Sequence, residues 1–235
     1  GTKQWTKQFG TTSIDRGRGV TVDSAGNIYV TGETQGSLDG NTSAGNYDIV
    51  LAKYNSSGAK QWTKQFGNSG PDYGKGVTVD SAGDIYVTGE TYYGSTGGTG
   101  LDGNTGAGKA DMFLSKYNSA GTKQWTKQLG TQGYDSASAV TADSAGDIYV
   151  TGTAAGLDGA TSYGNFDSFL VKYTSSGINS VDEEHEVSKV NLHNLDDDTD
   201  VTVALASSDT GEGTVNPATL TFTENNWNTT QTVTV

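Results

Sequence analysis

Carboxylates and amides on glycine-loosened loops are the residues whose types and spacing offer chemistry. Asp39-Gly40-Asn41-Thr42 is followed by Asp48, Asp102-Gly103-Asn104-Thr105 by Asp111, and Asp158-Gly159 by Asp167. An Asp-x-Asn spacing sets hard oxygen donors two residues apart, with a further carboxylate nine residues on, a pattern that suits a calcium ion. The third copy has Ala160 where the amide would stand. The competing reading is structural: Asp and Asn cap turns through side-chain to backbone hydrogen bonds, and the last Asp of each set opens a strand.

Two further carboxylate sets recur, Asp15, Asp72 and Asp135 ahead of one strand, and Asp23, Asp80 and Asp143 ahead of a turn glycine. A residue present in every copy is better explained by what each unit needs to fold than by a single active site. No Ser-His-Asp set, phosphate loop or base-activated nucleophile can be assembled, so no catalytic residue is nominated and the chain reads as a non-enzyme. A polysaccharide-cleaving activity needs only two facing carboxylates at about 5–10 Å, and that remains a third reading. His185 and His193 lie among acids at a spacing that fits no zinc-protease pattern. Tyr92, Tyr93, Tyr134 and Tyr163 fall in loops and could form a platform for glycans, in which case Tyr93→Ala should abolish binding.

The elements that must position these groups are repeated. KQWTKQFG at 3–10 and 60–67 and KQWTKQLG at 123–130 are each followed by VDSAGNIYVTG or a close variant. Trp5, Trp62 and Trp125 are 57 and then 63 residues apart, and the extra six fall in the Gly/Thr/Ser-rich stretch 91–103. Each period holds four stretches with strand alternation, joined through turns in which Gly26, Gly83 and Gly146 can take positive φ. Four antiparallel strands per period, repeated, predict propeller-type blades in an all-β fold, with the tryptophans packed between blades. Residues 1–177 form this region, three blades in which the N-terminal strand is expected to complete the last. Three blades fall below the four to eight of closed propellers, so self-association of two chains into one ring, or filament contacts, is expected.

The 235 residues are 32 % hydrophobic with 34 glycines, 2 prolines and no cysteine, which suits a sheet protein held by packing and ladder hydrogen bonds. The net charge of −13 is uneven: residues 1–177 hold 16 acids and 13 bases, whereas 178–235 hold 11 acids and Lys189. Nucleic acid is thereby disfavoured as a partner and cations are the natural counterpart. No apolar run reaches membrane-spanning length and no basic-then-apolar leader is present, so neither membrane insertion nor an export signal is expected in these residues.

The Trp-Thr-Lys-Gln-Phe-Gly string, the spaced Asp15, Asp72 and Asp135, the VDSAGNIYVTGET core and LDGNTSAGNYDIVLAKYNSSG together resemble the SBBP-type bacterial β-propeller repeat, whose hairpin is similar to that of NHL blades. Residues 178–235, with GEGTVNPATLTFTENNWNTTQTVTV, are similar to part of a Calx-beta or Ig-like module, a small β-sandwich with strands expected at 187–193, 200–206, 218–223 and 230–235. The resemblance implies a secreted or cell-surface bacterial protein. The expectation is a non-catalytic structural or adhesive repeat region displaying repeated loops, with a carbohydrate-binding module as the alternative and calcium as the one candidate cofactor.

Overall fold

The computed structural model describes residues 1–93, 98–164, 166–174, 201–204 and 219–222. The chain forms two compact units, 1–182 and 183–235. The first is all-β. Strands β1 (Asp15–Val22), β2 (Ile28–Thr34), β3 (Asp48–Tyr54) and β4 (Lys60–Phe66) pair in chain order as one antiparallel sheet. A second sheet repeats this with β5 (Asp72–Val79), β6 (Ile85–Tyr92), β7 (Ala110–Tyr117) and β8 (Lys123–Leu129). A third has three strands, β9 (Ser136–Ala142), β10 (Ile148–Ala154) and β11 (Asp167–Tyr173). These are propeller blades 1, 2 and 3, and their inner strands β1, β5 and β9 succeed one another as neighbours.

Each blade is a meander because its turns permit nothing longer. Gly26, Gly83 and Gly146 take φ of +81°, +87° and +85°, and each tight turn is locked by the Asp that precedes it. Asp23 accepts from the Ala25 and Asn27 amides and from the Tyr29 hydroxyl at 3.0 Å; Asp80 and Asp143 do the same for Tyr86 and Tyr149 at 3.1 Å. The short turns gather at one end of the blades. Loop 35–47 and residues 98–109 lie at the other, where β1 and β5 begin at Asp15 and Asp72.

Two hydrophobic cores sit between blades. The forward face of blade 1 contributes Tyr29, Ile49 and Leu51 and meets Val77, Ile85, Val87 and Phe113 on the rear face of blade 2. Forward residues Tyr86, Met112 and Leu114 of blade 2 meet Ile148 and Val150 of blade 3 in the same way. Trp62 and Trp125 pack against these cores, their rings 6.3 and 6.1 Å from Tyr29 and Tyr86.

The expected closure by the N-terminal strand is not formed. Residues 3–10 share the sequence of β4 but carry no strand ladder, and among the described residues β11 pairs with β10 alone. They lie instead on the rear face of blade 1. Trp5 and Lys7 cover the Gly58 turn just as Trp62 and Lys64 cover the Gly121 turn. Phe9 meets Tyr54 at 5.7 Å, matching the 5.6 Å between Phe66 and Tyr117. This segment takes the place of the outer strand of a preceding blade, because the side chains that fix it face a neighbour's turn rather than a ladder.

In the second unit, β12 (Val201–Ala204) and β13 (Thr219–Phe222) pair antiparallel, Val201 opposite Phe222. The strands expected at 187–193 and 230–235, the two histidines, the acidic run 196–200 and the rest of the Calx-beta-like motif lie outside the described residues.

Candidate functional site

The repeated carboxylates are occupied by their own blades. Asp39 takes the left-handed conformation, φ +52°, and its carboxylate meets Lys60 at 2.6 Å and accepts from Thr63. That ammonium, together with the Thr63 hydroxyl, holds the Asp39 carboxyl below its ordinary value. Asp102, at φ +53°, pairs with Lys123 and Thr126 in the same arrangement. The amides of Asn41 and Asn104 act as donors, to Leu38 and Thr63 carbonyls in one case and Leu101 and Thr126 in the other.

Asp48 and Asp111 lie deeper, each accepting from a loop amide, that of Ala44 or Ala107, and from the Gln65 or Gln128 side chain. Asp167 accepts from the Tyr163 amide at 2.8 Å and from the Ser162 hydroxyl at 3.0 Å, and among the described residues no glutamine bonds it. Asp158 follows Leu157 in a short 3-10 turn, the place Asp102 holds in η1 (Leu101–Gly103). In blades 1 and 2 the loop carboxylates with ligand-like spacing are therefore drawn to separate partners along the fourth strand, and among the described residues no three His, Cys, Asp or Glu side chains gather as a metal group.

Asp15, Asp72 and Asp135 each accept from the amide four residues earlier, that of Thr11, Asn68 or Thr131, at 2.6–2.7 Å. At the junction of blades 1 and 2, Asp72 is fully buried and close to Asp48; burial first, then the Asp48 charge, drives its pKa up to about 7, against the bonds from Thr91 and Asn68.

A second constellation lies where the copies differ. Tyr47, Tyr73, Tyr92 and Tyr134 form a continuous aromatic row at the loop end, with successive centroids 5.4, 5.8 and 6.1 Å apart. Backbone bonds between and within blades place them. The Asp72 amide donates to the Tyr47 carbonyl at 2.8 Å, the Tyr92 amide to the Pro71 carbonyl at 3.1 Å, and Tyr134 bridges to Ala110. The Arg16 guanidinium lies 5.8 Å from the Tyr47 ring at one end, and the Lys109 ammonium 5.1 Å from Tyr134 at the other. Tyr134 is exposed and the other three half-buried, so each ring both supports its neighbour and offers surface.

Behind the row stand charge pairs. The buried Glu33 carboxylate is held by Arg18 at 2.8 Å and Arg16 at 3.4 Å, and Glu90 pairs with Lys75 at 3.0 Å. Burial, followed by the Glu90 charge, pushes the Tyr92 phenol up to about 12. The Tyr92 phenol thus stays neutral, and the row offers ring faces that can stack on an apolar surface and hydroxyls that can donate hydrogen bonds.

Of the four tyrosines nominated from sequence, Tyr92 and Tyr134 join this row. Tyr93 turns inward: it is 6 % exposed, packs on Gly106 and receives a bond from Gln128. Tyr163 is fully exposed and stands apart in the loop before β11. Tyr47 and Tyr73 were not singled out by sequence reasoning. Their signal is aromatic identity at a position where the copies disagree: Tyr47 aligns with Ala110 and Phe166, Tyr73 with Arg16 and Ser136.

The SBBP beta-propeller repeat matches residues 4–39, 61–92 and 124–157, one match per copy. The regulatory protein FlaEY of Caulobacter vibrioides (strain ATCC 19089 / CIP 103742 / CB 15) is 25 % identical over 164 residues, covering 65 % of this chain and 17 % of its own length. An uncharacterized WD repeat-containing protein, L264 of Acanthamoeba polyphaga mimivirus, is 26 % identical over 181 residues, covering 63 % of this chain and 13 % of its own length. The chain spans less than a fifth of either relative. Matches that recur in register with the blades, on sheets whose strands pair in chain order, mark a β-propeller repeat protein in which each copy is similar to the SBBP repeat.

Proposed function

We propose that this chain is a non-catalytic binding and display region of a secreted or cell-surface protein, and that its loop end holds glycans through the row Tyr47, Tyr73, Tyr92 and Tyr134. The observation that carries the reading is a division between repeated and unrepeated residues. The recurring carboxylates whose partners are described are spent on a turn, a strand start or the adjoining fourth strand, whereas the aromatic row is built from positions that the other copies fill with Arg, Ser, Gln, Ala, Pro, Ile or Phe. A fold does not need tyrosine at those places. Sugar rings present C–H faces that stack on aromatic rings and hydroxyls that accept from phenols.

Affinity electrophoresis in gels containing neutral or acidic polysaccharides tests this. Retardation of the wild type by at least one class, weakened about tenfold or more in Tyr92→Ala/Tyr134→Ala, is expected, since two aromatic contacts are worth about 1–3 kcal/mol together. Equal retardation of the double variant, or none of the wild type across both classes, would refute it.

A further inference from the structure

The tyrosine row sits in a charge balance opposite to that of the chain. Over the whole sequence acids outnumber bases and the net charge is −13. Beside the row the sign reverses. Lys109, exposed at the junction of blades 2 and 3, lies with its ammonium against the Tyr134 ring and has no carboxylate within ion-pair distance among the described residues. Lys75 and Glu90 cancel at 3.0 Å, whereas Arg16 and Arg18 share the one carboxylate of Glu33, which leaves a positive charge over. The aspartates next in sequence to Tyr47, Tyr73 and Tyr134 do not restore the balance. Asp48, Asp72 and Asp135 are fully buried, and burial raises the pKa of Asp72 and Asp135, so both hold a proton more readily than an exposed carboxylate.

Lys109 also bears the mark that sets the row apart. The other copies place Asn46 and Asn165 at its position, whereas several recurring lysines are engaged by their own sheets: Lys60 and Lys123 bond Asp39 and Asp102, and Lys116 and Lys172 pair with Asp84 and Asp147. Backbone bonds fix its place. The Lys109 amide donates to the Gly133 carbonyl at 3.0 Å, and the Asp135 amide donates to the Ala110 carbonyl at 2.9 Å. Lys109 and Tyr134 are therefore held side by side across the junction, an exposed cation beside an exposed ring.

We propose that the glycans held by this row are acidic polysaccharides, whose carboxylate or sulfate groups pair with Lys109 while their sugar rings stack on the tyrosines. The inference rests on the tyrosine row being the glycan site. Distant acids of the chain count for little, since exposed charges more than about 8 Å apart are largely screened at physiological salt. The spare positive charge of Arg16 and Arg18, near Tyr47, favours the same class of ligand at the other end of the row.

Affinity electrophoresis in gels containing dextran, dextran sulfate or polygalacturonate tests this, with Lys109→Glu and Lys109→Arg beside the wild type and each mobility referred to a polymer-free gel. Dextran and its sulfate differ only in the charged groups, and polygalacturonate separates carboxylate from sulfate as the anion that is read. The wild type should be retarded by at least one acidic polymer and not by dextran. Lys109→Arg should match it, and Lys109→Glu should weaken the retardation about fivefold or more, an exposed ion pair having become a repulsion. Lys109 is exposed, so its replacement leaves the fold intact, as an unchanged circular dichroism spectrum would verify. Retardation by dextran as strong as by its sulfate, acidic binding that Lys109→Glu leaves unchanged, or binding lost equally in Lys109→Arg overturns the acidic class; the row stands if Tyr92→Ala/Tyr134→Ala still weakens the retardation. Binding indifferent to that double variant, or no retardation by any polymer, overturns the row as the glycan site and the acidic class with it.

Discussion

At Asp72 the fold buries a carboxylate beside a second one, and the pH dependence of stability should show it. The pKa of Asp72 rises from an ordinary 3.8 to about 7, chiefly by burial, with Asp48 across the junction adding to it. Between those values the folded chain keeps a proton that the unfolded chain has released. Its contribution to stability is therefore whole below about pH 4 and is lost as the pH rises through 7. Asp72→Asn, which resembles the protonated form, should remove this slope: the thermal midpoint of the wild type, compared with the variant, should fall from pH 4 to 8. Parallel curves would show that the site binds no extra proton. Asp23 moves the other way, held below its ordinary value despite some burial by bonds from Asn27, Tyr29 and Ala25, which is why the comparison is made against a variant at one site.

Among the elements, the second strand of each blade depends on a glycine that no turn requires. Gly32, Gly89 and Gly152 sit opposite irregularities in the inner strand, and a Cβ on any of them would collide with the carbonyl oxygen of Arg16, Tyr73 or Ser136. The strands meet at a bulge, and only a residue without a side chain lets the inner strand bend there. Gly89→Ala should cost about 3 kcal/mol and lower the melting temperature by roughly 6–12 °C, measured by calorimetry. Gly103→Ala, where a Cβ meets nothing, is the control for the backbone cost of positive φ alone. The strands and turns themselves were legible, since alternation and Asp-Ser-Ala-Gly turns are local signals. The fate of residues 3–10 was not. Their sequence matches β4 closely, but a strand forms only where a partner edge is presented, and the edge they reach here belongs to a neighbour's turn.

Across the whole molecule, agreement between copies marks what folds and disagreement marks what is free to bind. The architecture could be read because three similar periods reinforce one another. The aromatic row could be read only in part, because Tyr47, Tyr73, Tyr92 and Tyr134 are distant in sequence and meet only when blades stack, and because nothing local in the sequence tells Tyr92 from Tyr93, which Gly106 and Gln128 cover. The most direct test of this division pairs stability with binding in two single variants. Asp80→Ala removes three hydrogen bonds that every copy makes, and Tyr134→Ala removes an exposed ring present in one copy. Calorimetry and polysaccharide titration of both should separate them: Asp80→Ala loses about 1–3 kcal/mol of stability and binds as the wild type below its melting point, whereas Tyr134→Ala melts with the wild type and binds more weakly. A Tyr134→Ala protein that binds undiminished, or that melts as early as Asp80→Ala, would contradict the account.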